Sequence, residues 1–231
     1  MEQKKFMDIS RIKEDTKLTV ANTGGFHVGD HIVIQEKVDG SNSAIAYDKE
    51  TNKLVAFSRR QTLDYSNTLN GFWNWMQTLV VEPFSKYPNY VFFGEWLTSH
   101  TIKYIQDAYK KFYFYDVYDK ENECYLPQSE VKRLAEELNL RYVQTFYDGE
   151  FISWEHCMSF MHKSDIAVDI PEGIVVKNQT ELNNPNSRTP FVLKIVNSQF
   201  SEIKKDNQKQ FLTDSHSSRK RKHIHRHRNT S

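Results

Sequence analysis

The segment Glu36-Lys37-Val38-Asp39-Gly40-Ser41-Asn42 sets a lysine among closely spaced polar side chains and a glycine, directly after the apolar alternation of residues 31–35. This is how a nucleophilic lysine is presented. An ordinary lysine has a pKa near 10.4, so at neutral pH only about one in a thousand is uncharged and able to attack. Lys37 therefore needs neighbours that alter its ionisation. Four other segments carry charges inside or at the ends of apolar runs: Ser58-Arg59-Arg60, Phe93-Gly94-Glu95, Glu172 to Lys177, and Val192 to Val196 with Lys194 at its centre. A buried charge costs several kcal/mol unless it is paired or ligated, so together these segments predict convergence on one site. Any one of them alone reads as protection of an edge strand.

The elements that must position these residues are legible as short runs rich in β-branched and aromatic side chains. Strands are expected at 18–21, 31–36, 43–47, 54–58, 90–95, 112–118, 141–146, 173–177 and 191–196. Helical spacing predicts a helix over 66–80, through Leu69, Phe72, Trp73, Met76, Leu79 and Val80, and a second over 129–139, through Val131, Leu134, Ala135 and Leu138. Ser129 and Ser153 are expected N-caps, the latter opening a helix that runs to Lys163. Strands and helices in irregular order, without a repeating βαβ rhythm, define an α+β fold of largely antiparallel sheets with flanking helices. A surface loop is expected at 183–187, and the periodic pattern ends near Lys205.

The 231 residues, 38% of them hydrophobic, suffice for a substantial core. No apolar run approaches the roughly 20 residues that span a bilayer, so no membrane association is expected. The N-terminus shows no signal-peptide pattern, and an intracellular, cytoplasmic protein is expected. Cys124 and Cys157 stand far apart and read as packing residues. The net charge of +1 conceals an asymmetry: residues 215–231 hold six Lys or Arg and four His with no acid, leaving 25 basic against 30 acidic side chains elsewhere. Residues 207–231 are accordingly expected to form a disordered basic tail, a solvated segment open to polyanion binding or nuclear targeting. His223, His225 and His227 alternate as metal ligands do, but such a tail supplies no second shell.

Lys37-Val38-Asp39-Gly40 fits the Lys-x-Asp-Gly motif I of the covalent nucleotidyltransferases, and the other segments follow in that superfamily's order: 93–95 as motif III, 112–118 as motif IIIa, 172–177 as motif IV, and the region of Lys194 as motif V. The chain thus resembles the superfamily of ATP-dependent RNA and DNA ligases and capping enzymes, with its ATP-grasp-like nucleotidyltransferase fold. Glu36 and Asn42 match the Glu-Lys-x-x-Gly-x-Asn form of the RNA ligase 2-like group, which Asn197-Ser198-Gln199-Phe200-Ser201-Glu202 also resembles. One departure stands out: motif V commonly reads Lys-x-Lys, whereas here Val196 follows Lys194 at that spacing.

The resemblance implies an ATP-dependent RNA ligase in which Lys37 takes AMP from ATP, passes it to a 5′-phosphate end, and a 3′-hydroxyl then seals the strand. Residues 1–206 would form the adenylyltransferase domain. Lys37, Lys177 and Lys194 would be catalytic, the latter two with Mg²⁺ or Mn²⁺ lowering the Lys37 pKa and neutralising phosphate charge. Nucleotide contacts fall to Glu36, Asp39, Asn42, Arg59, Arg60, Glu95, Tyr115 and Glu172, with Glu172 also at the metal. Of Tyr113 and Tyr115, which share a face by the period of two, Tyr115 is the expected base-stacking ring. Glu36 reads equally as a solvent-facing neighbour of the nucleophile. Lys204, Lys205 or Arg188 are possible replacements for the ammonium missing at 196. A minimal DNA ligase, or a non-sealing polynucleotide-binding protein of the same fold, are the competing readings.

The resemblance implies RNA with 5′-phosphate and 3′-hydroxyl ends as the partner, and a partner protein is a candidate to supply the end-binding C-terminal domain common in the family. The basic tail is the electrostatic alternative. Polynucleotide binding should then fall steeply with salt, and removing residues 215–231 should flatten the slope of log K against log salt concentration. An unchanged slope would make the tail irrelevant to substrate binding.

Overall fold

The computed structural model describes residues 1–19, 23–182, 192–200 and 202–204. Two sheets form the body. The first has the order β1 (Ser10–Lys13), β11 (Val192–Val196), β10 (Gly173–Asn178), β2 (His31–Glu36), β9 (Thr145–Glu150). The second has β4 (Lys53–Ser58), β3 (Ser41–Asp48), β5 (Tyr90–Trp96), β6 (Phe112–Asp119), β7 (Cys124–Tyr125), with β8 (Arg141–Tyr142) beside β6. Among the named strands, only β1 with β11 and β6 with β8 pair in parallel. The expected α+β class of mostly antiparallel sheets is the observed one.

Alternation along the strands sorts the side chains into layers. In the first sheet Ile32, Ile34, Ile174, Val176, Leu193 and Ile195 form one face with Cys157. Gln35, Val175 and Lys194, from the alternate positions, meet the second sheet across a cavity. In the second sheet Ile45, Phe92 and Phe114 pack with Phe72 and Met76 of α1 (Phe72–Met76), Phe84 of α2 (Glu82–Ser85), and Val131 and Leu134 of α3 (Gln128–Glu137). Phe72, Phe84, Phe92 and Phe114 are each under 2% exposed. Full burial of such a ring is worth about 1.5–3 kcal/mol relative to exposure, which anchors these short helices where intrinsic propensity would not.

The helices are where expectation and structure part. The helix expected over 66–80 shrinks to α1, because Leu69 (φ 49°), Asn70 (φ 53°) and Gly71 (φ 94°) all take left-handed backbone before it. Helix α3 begins after Pro127, with no side-chain cap, so Ser129 is not its N-cap. Ser153 does cap α4 (Trp154–Met158), its hydroxyl accepting the His156 N–H at 3.1 Å, but that helix stops well before Lys163. The strand expected over 141–146 is two, β8 and β9. Leu18 and Thr19 lie outside any strand, and residues 20–22 are outside those described, as are the 183–187 loop, Arg188, Lys205 and the tail. No helix among the described residues is long and apolar enough to cross a membrane.

Gly173 ties the two central strands of the first sheet to the nucleophile segment. Its φ is +151°, and a Cβ there would lie 2.0 Å from the Ile195 carbonyl oxygen, so only glycine lets β10 and β11 approach this closely. Gly173→Ala should destabilise the fold by at least about 2 kcal/mol in urea denaturation. A loss under about 0.5 kcal/mol would show that the strands yield easily.

Candidate active site

Lys37 leaves the end of β2 with its N–H donating to the Gly173 carbonyl at 2.9 Å. This continues the β2–β10 ladder, in which Glu36 pairs with Ile174, and brings Glu172 alongside. The Lys37 Nζ stands 2.9 Å from Glu172 Oε2, with 21% of the lysine side chain and 5% of the glutamate exposed. Glu95, on β5, faces the same group: Asn42 pairs with Glu95 in the β3–β5 register, and Glu95 Oε1 accepts the Gly40 N–H at 3.2 Å. A Cβ on Gly40 would sit 2.6 Å from the Trp96 carbonyl oxygen, so the turn after Lys37 lies directly against β5.

Burial pulls the Lys37 pKa down, but the charges of Glu172, Glu95 and Asp39 outweigh it and hold the ammonium above the ordinary lysine value. The expected lowering of the Lys37 pKa by Lys177, Lys194 and Mg²⁺ or Mn²⁺ is thus opposed by three carboxylates. Burial also pushes the Glu172 carboxyl up against the pull of Lys37, and takes Glu95 to about 8. Lys37 is therefore an ammonium held between acids that would ionise less readily without it.

The residues flanking Lys37 are pinned by two loops. Ser164 donates to Glu36 Oε1 at 2.5 Å and accepts the N–H groups of Ile166 and Ala167. Asp39 Oδ2 accepts the N–H groups of Thr101 and Ile102, both at 2.8 Å, while the Asp39 N–H donates to the Tyr104 hydroxyl at 2.7 Å. The loops are joined in turn by backbone bonds from Ile105 to Ile166 and from Val168 to Lys103. Glu36 is thus 3% exposed rather than solvent-facing, and Asp39 is committed to the 101–104 loop instead of the cavity wall.

Beside Lys37 opens a cavity of about 160 Å³ between the sheets, walled by Tyr115, Asn42, Glu95, Val175 and Lys194, with Arg59 at its edge. Asn42 Nδ2 donates to the Tyr115 hydroxyl at 2.6 Å. Tyr113 instead sends its hydroxyl to the Ala108 carbonyl and packs into the apolar layer. Arg59 forms an ion pair with Asp8 of the N-terminal segment, and Arg60 is not in the wall. Lys177 is buried at the cavity's far side, 3.1 Å from Asp116 Oδ2 and donating to the Tyr115 carbonyl at 2.9 Å. Gln128 donates to Asp116 Oδ1 at 2.7 Å. Burial disfavours both charges of the pair, lowering the Lys177 pKa and raising that of Asp116. Lys177 is accordingly paired with Asp116 in the cavity wall. Sequence reasoning missed Asp116, although a carboxylate inside the aromatic run Phe112 to Tyr118 signals a buried partner. It also missed Ser164, Tyr104 and the wall residues Phe6, Met7 and Ile9, which carry no local signal.

The donor chemistry fits a hard cation. Glu95 in the cavity wall and Glu172 beside Lys37 offer carboxylate oxygens, and Mg²⁺ or Mn²⁺ is commonly held by one or two carboxylates plus substrate phosphates. No group of three or more His, Cys, Asp or Glu side chains among the described residues forms a ready chelating cage.

A two-sheet α+β body with a lysine presented beside a cavity between the sheets is the architecture of nucleotidyltransferase-type ligases. The archaeal ATP-dependent RNA ligase, form 1, superposes with a TM-score of 0.60 at 20% identity over 86% of this chain and 49% of its own. A Naegleria gruberi RNA ligase variant solved with ATP and Mn gives a TM-score of 0.56 at 20% identity over 77% of this chain and 52% of its own. The chain therefore spans about half the length of these ligases. A search of curated protein sequences finds no match. The RNA ligase family model matches residues 30–196, and the chain belongs to that family.

Burial raises the Glu36 pKa to about 7, with the Ser164 hydrogen bond opposing. The folded form then binds this proton more tightly than the unfolded chain, so stability present below pH 4.5 is lost as pH rises through about 7. The Glu36→Gln variant should remove up to about 3 kcal/mol of that pH dependence. The measurement is urea denaturation of both proteins from pH 4.5 to 8. A constant stability difference across the range would contradict the buried, protonated carboxyl.

Proposed function

We propose that this protein is an ATP-dependent RNA ligase that joins 5′-phosphate and 3′-hydroxyl RNA ends through a lysyl-AMP at Lys37 and an adenylylated RNA end. The observation that carries the reading is the Lys37–Glu172 pair at 2.9 Å on the rim of a cavity walled by an aromatic ring, a carboxylate and a lysine. Membership of the RNA ligase family supports it. The neighbouring Glu36, Asn42 and Tyr115 favour the RNA ligase 2-like group.

In this reading adenine stacks on Tyr115, whose ring is held by the bond from Asn42, and the ribose hydroxyls reach Glu95 and Arg59. Lys194 faces the phosphates. Lys177 stiffens the deep wall through Asp116 instead of touching them. Glu172 keeps Lys37 charged while the site is empty and is also its nearest proton acceptor. Glu172 and Glu95 would hold Mg²⁺ or Mn²⁺, which when bound would supply positive charge to offset that of the phosphates. Lys37 gives its proton to the Glu172 oxygen 2.9 Å away, and the free amine attacks the α-phosphate, expelling pyrophosphate. Charge developing on the non-bridging oxygens is met by Lys194. The AMP then moves to the RNA 5′-phosphate and leaves when the 3′-hydroxyl attacks.

Incubation with ATP and Mg²⁺ should add one AMP to the intact mass, and Lys37→Ala should abolish the adduct. Nicked duplexes with RNA at the 3′-hydroxyl side should then be sealed in preference to DNA. Sealing indifferent to the 2′-hydroxyl would convert the assignment to a general polynucleotide ligase. An adduct without sealing would leave the nucleotidyl transfer and remove the ligase.

A further inference from the structure

We propose that Arg11, on edge strand β1, is a phosphate-binding residue of this site and grips the nucleotide's triphosphate together with Lys194. The inference rests on the nucleotide reading of the cavity and adds a second cation to it. The register carries it. Arg11 lies opposite Lys194, Lys194 opposite Val175, and Val175 opposite Gln35, forming one row across four strands. Registered residues of neighbouring strands project to the same face. Gln35, Val175 and Lys194 all line the cavity, and Arg11 continues their row one strand further, exposed beyond the lining residues but close enough for its charge to act on Lys194 and Glu172.

Its guanidinium is also placed where a cation is otherwise lacking. Val196, two residues beyond Lys194, is fully buried in an apolar cluster with Val38, Leu97 and Phe200, leaving no charge at that point of β11. The Arg11 guanidinium carbon lies 5.9 Å from the centroid of the Phe200 ring in that same cluster. Arg11 thus lies beside the apolar cluster that holds Val196 and Phe200.

Neither Arg11 nor Lys194 forms an ion pair with a carboxylate among the described residues. Two adjacent cations beside the Lys37 ammonium repel one another, and burial together with Lys37 and Arg11 depresses the Lys194 pKa. An anion between them relieves that repulsion. A planar guanidinium fork suits two phosphate oxygens better than a second ammonium would. Lys13 provides an internal control: it faces the same side of β1 but lies opposite Val196 rather than Lys194.

The test is equilibrium binding of ATP and of adenosine to the full chain, with and without Mg²⁺, for the native protein and the Arg11→Ala, Arg11→Lys and Lys13→Ala variants. Arg11→Ala should weaken ATP binding at least about tenfold while leaving adenosine unchanged, and Arg11→Lys should recover part of the loss. Lys13→Ala should stay within about twofold of the native protein. Native ATP affinity in Arg11→Ala would overturn the proposal and leave Arg11 as edge protection. So would an equal loss for ATP and adenosine, or equal effects of Arg11→Ala and Lys13→Ala, which would mark general surface charge. If Arg11→Ala unfolds, Arg11→Lys decides alone: a partial loss of ATP affinity with adenosine unchanged supports the proposal, and full ATP affinity or an equal loss for adenosine overturns it. A native protein that binds neither ligand overturns the nucleotide reading itself.

Discussion

The ion pair between Lys37 and Glu172 sets the terms for the rest of the structure, because both groups are largely removed from water and neither is stable there alone. Desolvating such a pair costs several kcal/mol per ion, repaid only when the geometry is held closely. The β2–β10 ladder supplies that geometry. Gly173 accepts from the Lys37 N–H while Glu172, one residue earlier, points its carboxylate at the same lysine's ammonium. Its missing Cβ lets β11 close against β10, which brings Lys194 into the row beside Lys37. A single backbone contact thus fixes Lys37, Glu172 and Lys194 relative to one another.

The same constraint explains why so much polar structure surrounds four residues. Lys37 is the first residue past a strand, and a free loop there would let the ammonium swing out to solvent. Glu36 on one side is tied to Ser164, and Asp39 on the other to Thr101, Ile102 and Tyr104. Since those two loops bond to each other, displacing either flank disturbs both. Asp39 contributes through position rather than by touching a ligand, although its charge also helps hold Lys37 protonated. A four-residue motif is therefore built from one reacting side chain and a clamp.

The strands that carry charges were legible because their alternation is strong. β2 falls where the pattern from His31 to Glu36 puts it, and β10 and β11 extend the expected runs by at most a residue or lose one. The convergence of Lys37, Glu95, Glu172 and Lys194 follows from that alone. β1 was not legible: Ser10-Arg11-Ile12-Lys13 has one apolar residue and is a strand only because β11 offers it a parallel edge. The stripe from Leu69 to Val80 was misleading, because three consecutive left-handed residues break it and periodicity does not register backbone sign. Lys177 illustrates a subtler limit. Period two places it on the same face as Val175, but it stands one full repeat, roughly 6.6 Å, further along β10. That distance carries it further from Lys37, to where Asp116 pairs with it.

The cavity wall also depends on the N-terminal segment, which no pattern announces. Phe6 meets the Tyr115 ring edge-on with centroids 5.2 Å apart, and meets Phe93 at 5.0 Å and Tyr125 at 5.8 Å. Met7 donates its N–H to the Tyr125 hydroxyl, so backbone as well as side chain hold the segment down. Tyr115 is consequently fixed twice, at its ring by Phe6 and at its hydroxyl by Asn42. An aromatic wall already fixed in orientation loses little freedom when a flat base stacks on it, so more of the stacking energy remains as affinity. Residues 6–8, through Phe6 on Tyr115 and Asp8 on Arg59, therefore belong to the site as much as the motif that carries the nucleophile.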